Sequence, residues 1–253
     1  WELTKENFMS GIKKIDFLKL TASIGVLGNQ NTYGFPCPFY PGLKTGAAAV
    51  FGNNIYNAYS QAYLPDPNLK WETVHAKDIG IELGAFSNRL HAEIRYYDKV
   101  TKDLMTYIPG INGASDGLTN IGSIKNNGLE VTASWDQKLG KDLTITVSGN
   151  LTTYKNKVLE LATKDFAIIN NMNRTLVGYP IGSFYGYIVE GIYQSYADKL
   201  ASPVNTEFSY GPGDLKYKDI NGDGKINTAD RTVIGNPTPD FAYGASIDVK
   251  YKR

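Results

Sequence analysis

Cysteine is all but missing from this chain of 253 residues, with Cys37 the single example. One thiol excludes an intramolecular disulfide and argues against a cysteine-based zinc centre. The two histidines, His75 and His91, have no partner at metal-ligand spacing. No charge of one sign dominates: 26 basic against 25 acidic side chains leave a formal net charge of +1. A nucleic-acid partner would need a basic face, so none is expected. No apolar run reaches eighteen residues, which excludes a transmembrane helix. It does not exclude a membrane, because barrel strands alternate and carry no such run. Neither a signal peptide, nor a G-x-S-x-G elbow, nor a phosphate loop is present. The chain starts abruptly at Trp1 and stops inside an alternating run at its C-terminal Arg253, so an internal piece of a longer protein is expected.

What is abundant is tyrosine, 18 residues against 10 Phe and 3 Trp. Aromatics with a polar tip suit boundaries between apolar and wet regions. Alternation of apolar and polar residues is the other strong signal. Ile79, Ile81, Leu83 and Ala85 alternate with Asp78, Gly80, Glu82 and Gly84. After Ser87 and Asn88 the pattern resumes, with Leu90, Ala92, Ile94 and Tyr96 between Arg89, His91, Glu93 and Arg95. Period two means strands with one apolar face. A two-residue Ser-Asn turn would set Leu83 against Ala92 and Ile81 against Ile94, apolar on apolar; a one-residue slip would break every pair.

The same pattern predicts six strands at about 17–27, 71–86, 89–104, 120–138, 143–156 and 240–252. They should form one antiparallel sheet in chain order, with Leu83, Ile94, Val131, Ile145 and Ile247 on one face. The loop near Gly140 must hold an odd number of residues, three or five, to match the faces of its two strands. The connections run long, short, long, short, long. Segments 28–69, 105–118 and 155–239 read as loops, the last with a small hairpin of 184–194 against 215–218. Outer-membrane β-barrels have this asymmetry of short turns and long extracellular loops. Counting directions, strands 17–27, 89–104 and 143–156 run outward, which places the long region 159–238 outside. A soluble sheet packed on a core shares the strand pattern. Its concrete form is a secreted carbohydrate-binding β-sandwich with a calcium site, and what covers the apolar face separates the two.

Five phrases resemble the SusC/RagA family of TonB-dependent outer-membrane transporters. They are IDFLKLTASIGVLGN at 15–29, NLKWETVHAKDIGIELGAFSNRLHAEIRYYDKVTKDLM at 68–105 and NIGSIKNNGLEVTASW at 120–135. PIGSFYGYIVEGIYQS at 180–195 and the stretch from PGDLKYKDINGDGK at 212–225 to the end complete the set, in family order. The resemblance implies part of a 22-stranded transmembrane β-barrel in the cell outer membrane, without its plug domain. It implies a non-enzymatic importer of oligosaccharides or peptides. It also implies contact with membrane lipid and lipopolysaccharide, pairing with a SusD-like surface lipoprotein, and energy from TonB through N-terminal parts absent here.

Within 219–230, DINGDGKINTAD fits a calcium-loop template. Asp219, Asn221 and Asp223 stand at positions 1, 3 and 5, Gly224 makes the turn at 6, and Lys225 offers its carbonyl at 7. Asn227 stands at 9 and Asp230 at 12, where Glu is usual. A structural calcium ion is expected; the competing reading is an Asx-rich surface turn without an ion. Glu82, His91, Glu93, Arg95, Glu130 and Asp136 on the polar faces suggest either a carboxylate pair for glycoside hydrolysis or the wet lining of a barrel. Polar alternation already requires the lining. Tyr33, Phe35, Phe39, Tyr40, Tyr56, Tyr59 and Tyr63 would stack on sugars or a lid protein, or form the loop's own core. Trp71, Tyr96, Trp135 and Tyr251 suit membrane-interface belts.

Overall fold

The computed structural model describes residues 1–32, 37–40, 42–108, 116–162, 167–170 and 172–252. Long strands dominate. They are β1 (Ile15–Asn29), a hairpin of β2 (Leu43–Phe51) and β3 (Asn54–Gln61), β4 (Glu72–Ala85), β5 (Leu90–Ile108), β6 (Gly117–Leu139), β7 (Leu143–Thr153) and β8 (Lys155–Glu160). Short strands β9 (Ile168–Asn170), β10 (Asn173–Thr175), β11 (Ser183–Gly186), β12 (Val189–Ile192), β13 (Val204–Asn205), β14 (Leu215–Tyr217), β15 (Lys225–Ile226) and β16 (Thr232–Gly235) follow, before β17 (Phe241–Tyr251). Two compact units result: Trp1–Lys164 with Pro239–Arg253, and Asp165–Thr238.

In the first unit one antiparallel sheet runs β1-β4-β5-β6-β7-β17, with β8 also on β6. This is the expected chain order. Register follows side-chain chemistry. One row across the sheet reads Leu20, Ile81, Ile94, Val131, Leu151 and Tyr243. The row beside it on the other face reads Lys19, Glu82, Glu93, Thr132, Asn150 and Gly244. The register of β4 on β5 is the expected one, but the turn is wider. Ala85 and Leu90 are the last pair, and Phe86, Ser87 and Asn88 are all left-handed, with φ of 60°, 57° and 57°. Left-handed backbone costs an L-residue about 1–2 kcal/mol. Outside bonds hold the turn: Phe86 N–H donates to Lys14 O at 2.9 Å and Asn88 N–H to Asp16 Oδ2 at 2.9 Å. The other short turn pairs Leu139 with Leu143, so it holds three residues, one step along from the placement 139–141.

Alternation understated the strands. The segment 105–118, read as loop, carries the ends of β5 and β6, and within 28–69 lies the β2–β3 hairpin. Tyr33 and Phe35 lie outside the described residues. Alternation failed at this hairpin because its register shifts between Lys44 and Ala47, moving side chains to the other face. The predicted pairing of 184–194 with 215–218 divides: β12 pairs with β14, while β11 pairs with β16.

The apolar face is bare. Ile79 is 57% exposed, Ile94 46%, Ile247 70% and Val249 62%. No second sheet covers it among the described residues, which removes the sandwich. An exposed patch this large demands a nonaqueous neighbour. The faces then exchange character toward the long connections. Beyond Tyr96 and Leu129 the formerly apolar face carries Lys77, Asp98, Lys125, Lys155 and Lys157. The opposite face there buries Ile124 and Val158. Apart from Ala85, the buried apolar residues of this unit, including Met105, Leu118, Ile121 and Leu161, belong to this upper part. Strands of 19 and 23 residues in β5 and β6 exceed the 9–11 that span lipid, and the surplus forms this watered top.

The second unit has its own sheet, β16-β11-β10-β9, and small two-stranded pairs. Among its described residues Tyr193 and Ile226 are the buried apolar ones. Rings of Tyr187, Phe208 and Tyr217 pack together, and Arg231 stacks over Tyr187 at 5.1 Å. Region 159–238, read as a loop, therefore holds an ordered body.

Candidate functional site: a polar wall face and an acidic loop

Strand alternation projects the polar residues of all six wall strands to one side. A groove of about 620 Å³ there is lined by Glu82, His91, Glu93, Thr132, Ser134 and Asn150, among others. Its charges are tied locally. Lys19 Nζ lies 3.1 Å from Glu82 Oε1, and Arg95 Nη2 lies 2.7 Å from Glu93 Oε1. Thr146 donates to Asp136 at 2.6 Å, and the Ser148 and Ser246 hydroxyls meet at 2.7 Å. Glu82 and Glu93 face each other across strands, and like charges so placed repel. A cation beside each offsets that. Carboxylates each bound to their own cation make a fixed, wet lining rather than an acid–base pair aimed at a scissile bond.

The 219–230 loop is wrapped by its own oxygens. Asp219 Oδ1 accepts from Gly222 N–H at 2.7 Å and Oδ2 from Gly224 N–H at 2.8 Å. Asn221 Oδ1 accepts from Asp223 N–H at 3.0 Å, and Asp223 Oδ1 from Lys225 N–H at 2.8 Å. Gly222 and Gly224 have φ of 74° and 79°, which only glycine adopts without strain. Asn221, Asp223 and Lys225 are exposed and Asp219 is half-buried. Asp230 is fully buried. Its carboxylate accepts from Ile220 N–H and Asn227 N–H, both at 2.9 Å. The amide of Asn227 first, then those of Ile220 and Asn221, hold Asp230 below the usual carboxylate range although its burial acts the other way. Among the described residues no three His, Cys, Asp or Glu side chains gather to hold a metal.

Of the loop aromatics, Phe39 and Tyr40 touch at 4.8 Å, and Phe51 and Tyr56 at 5.9 Å. Tyr40, Tyr56 and Tyr59 are 64%, 51% and 65% exposed. Tyr63 donates to Cys37 O at 2.9 Å. Trp71 and Tyr251 are exposed, and Trp135 packs on Phe86 at 5.8 Å near the short turns. Sequence reading passed over the lysines above the apolar band. Their signal was the loss of apolar alternation after Tyr96 and before Leu129.

An apolar-out, polar-in antiparallel wall with short turns at one end defines an outer-membrane β-barrel, here an unclosed part of one. The chain belongs to the TonB dependent receptor-like β-barrel family, which matches residues 28–251. TonB-dependent receptor P3 of Formosa agariphila is 33% identical over all of this chain and 26% of its own length. TonB-dependent receptor SusC of Bacteroides thetaiotaomicron is 27% identical over all of this chain and 25% of its own. The chain therefore spans about a quarter of these relatives. The RagAB peptide transporter superposes with a TM-score of 0.75 at 21% identity, over all of this chain and 27% of that one. The protein lies in the outer membrane.

Proposed function

We propose that the whole protein imports an oligosaccharide or a peptide through this barrel. It takes energy from TonB through parts outside this chain and works with a SusD-like surface lipoprotein as lid. The observation that carries the reading is the ion-paired polar face backed by a bare apolar one. A solute passing such a lining meets fixed charges and hydroxyls while lipid covers the outside. Kinship with SusC and the fold of the RagAB transporter support it. The exposed rings of Tyr40, Tyr56 and Tyr59 suit a sugar or a lid protein. The cargo leaves chemically unchanged, so the protein is not an enzyme. The test is calorimetry on the full-length transporter co-purified with its lipoprotein, titrated with oligosaccharide and peptide pools. Micromolar binding of one class without cleavage is expected; cleavage, or no lipoprotein in the complex, sinks the reading.

We also propose that the 219–230 loop holds a structural calcium ion through Asp219, Asn221, Asp223, the Lys225 carbonyl and Asp230. The spacing of oxygen-bearing residues around the turn at Gly224 supports this. Calcium takes six to eight oxygens, and extracellular sites commonly bind at about 10⁻⁴–10⁻³ M. Calcium titration of the intact transporter should give heat in that range, lost in Asp223→Ala. Equal heats from the two proteins would leave an ordinary polar turn.

A further inference from the structure

The wall carries an unbalanced basic patch directly above its apolar band. Two hydrogen-bonded rows define it. One reads Lys77, Asp98, Asn127 and Lys155; the next reads His75, Val100, Lys125 and Lys157. These positions share the face of Ile79, Tyr96 and Leu129 and lie toward the long connections. Lys77, Lys155 and Lys157 are exposed. Lys125 Nζ lies 2.6 Å from Asp98 Oδ2. Among the described residues the other three lysines form no ion pair. Lys125 and Lys157 are direct cross-strand partners, about 5 Å apart at Cβ, and like charges at that spacing destabilise a sheet. Lys155 adds a third positive charge two residues along.

An anion would offset this arrangement, and the position of the patch narrows its kind. A single groove combines both chemistries: Ile24, Ile79, Tyr96 and Val100 supply apolar surface, and Lys77 and Lys125 stand over it. A dissolved anion has no use for the apolar half. A lipid fits both, with acyl chains against Ala22, Ile79 and Tyr96 and a phosphate at the height of the lysines. We infer that Lys77, Lys125, Lys155 and Lys157 form a seat for a phosphate-bearing lipid headgroup of the outer leaflet. Asp98 is a positioning residue that fixes the Lys125 ammonium. The seat stands where the two faces exchange character on β4 to β8, while β1 stays apolar beside it with Ile24 and Val26. The inference rests on the outer-membrane barrel and is independent of the cargo.

Native mass spectrometry of the full-length transporter, titrated with bisphosphorylated lipid A, tests it. Wild type should bind the lipid, and Lys125→Ser/Lys155→Ser/Lys157→Ser should bind at least about tenfold more weakly, each surface lysine near a charged headgroup being worth roughly fivefold. Dephosphorylated lipid A on wild type should match the triple variant. Lys141→Ser, in the turn at the other end of the wall, should behave as wild type. Equal binding by wild type and a folded triple variant overturns the proposal, as does equal binding of the two lipids. Full displacement by millimolar inorganic phosphate assigns the site to a free anion and overturns it too. Should the triple variant fail to fold, judged by heat-dependent gel mobility, the two-lipid comparison on wild type still decides.

Discussion

Ile94→Arg in the full-length barrel should destabilise it by about 2–4 kcal/mol, the cost of arginine on a lipid face near the bilayer midplane. Ile94 is 46% exposed on the row Leu20, Ile81, Ile94, Val131. It lies below the lysine rows and above the row of Leu90 and Trp135. Thr132→Arg is the matched control. It lies opposite Glu93 on the polar face, where a cation meets water and carboxylates and should change stability little. Denaturant unfolding of both variants in lipid measures the difference, about 30-fold to several-hundred-fold in the folding equilibrium. Equal effects would mean that lipid does not cover the apolar face.

Gly122→Val should open the top of the wall. A side chain at Gly122 would collide with the Glu160 carbonyl and the Leu161 backbone, so β8 must lift from β6. Overpacking of this kind costs about 1–3 kcal/mol, more where backbone is the obstacle. Hydrogen exchange over 155–161 should rise and the unfolding midpoint fall. Gly25→Ala, whose added carbon meets nothing within 4 Å, should be silent. Unchanged exchange in Gly122→Val would remove the β6–β8 pairing from the account.

The membrane band was legible because one physical constraint repeats there at every second residue. The β4–β5 register followed from centring the turn on Ser87 and Asn88, which set Ile81 against Ile94, and a one-residue slip would have crossed the faces. Above the band that constraint ends. At 105–108 and 117–119 polar and apolar residues no longer sort as they do in the band, since Met105 and Leu118 join a local core. Strand and loop then look alike in sequence. The unit Asp165–Thr238 was opaque for a different reason: it is held by contacts distant in sequence, such as Tyr187 with Phe208 and Arg231. The acidic loop was legible as a spacing, yet spacing did not show that Asp230 would be buried and spent on the amides of Ile220 and Asn227.

The register of β7 carries into β8 without a slip, Glu130 facing Thr152 and Asn127 facing Lys155. Beside it, Tyr154 N–H donates to Asp240 O at 2.9 Å, where β17 arrives. The chain leaves one wall strand and returns on the neighbouring one, with the ordered segment between. Closing a flexible loop costs only about 0.6 kcal/mol more per doubling of its length, and a segment with its own core restrains its ends further. The wall is thus indifferent to what is spliced into that joint. A segment of another length or fold could be joined there at little cost to the staves.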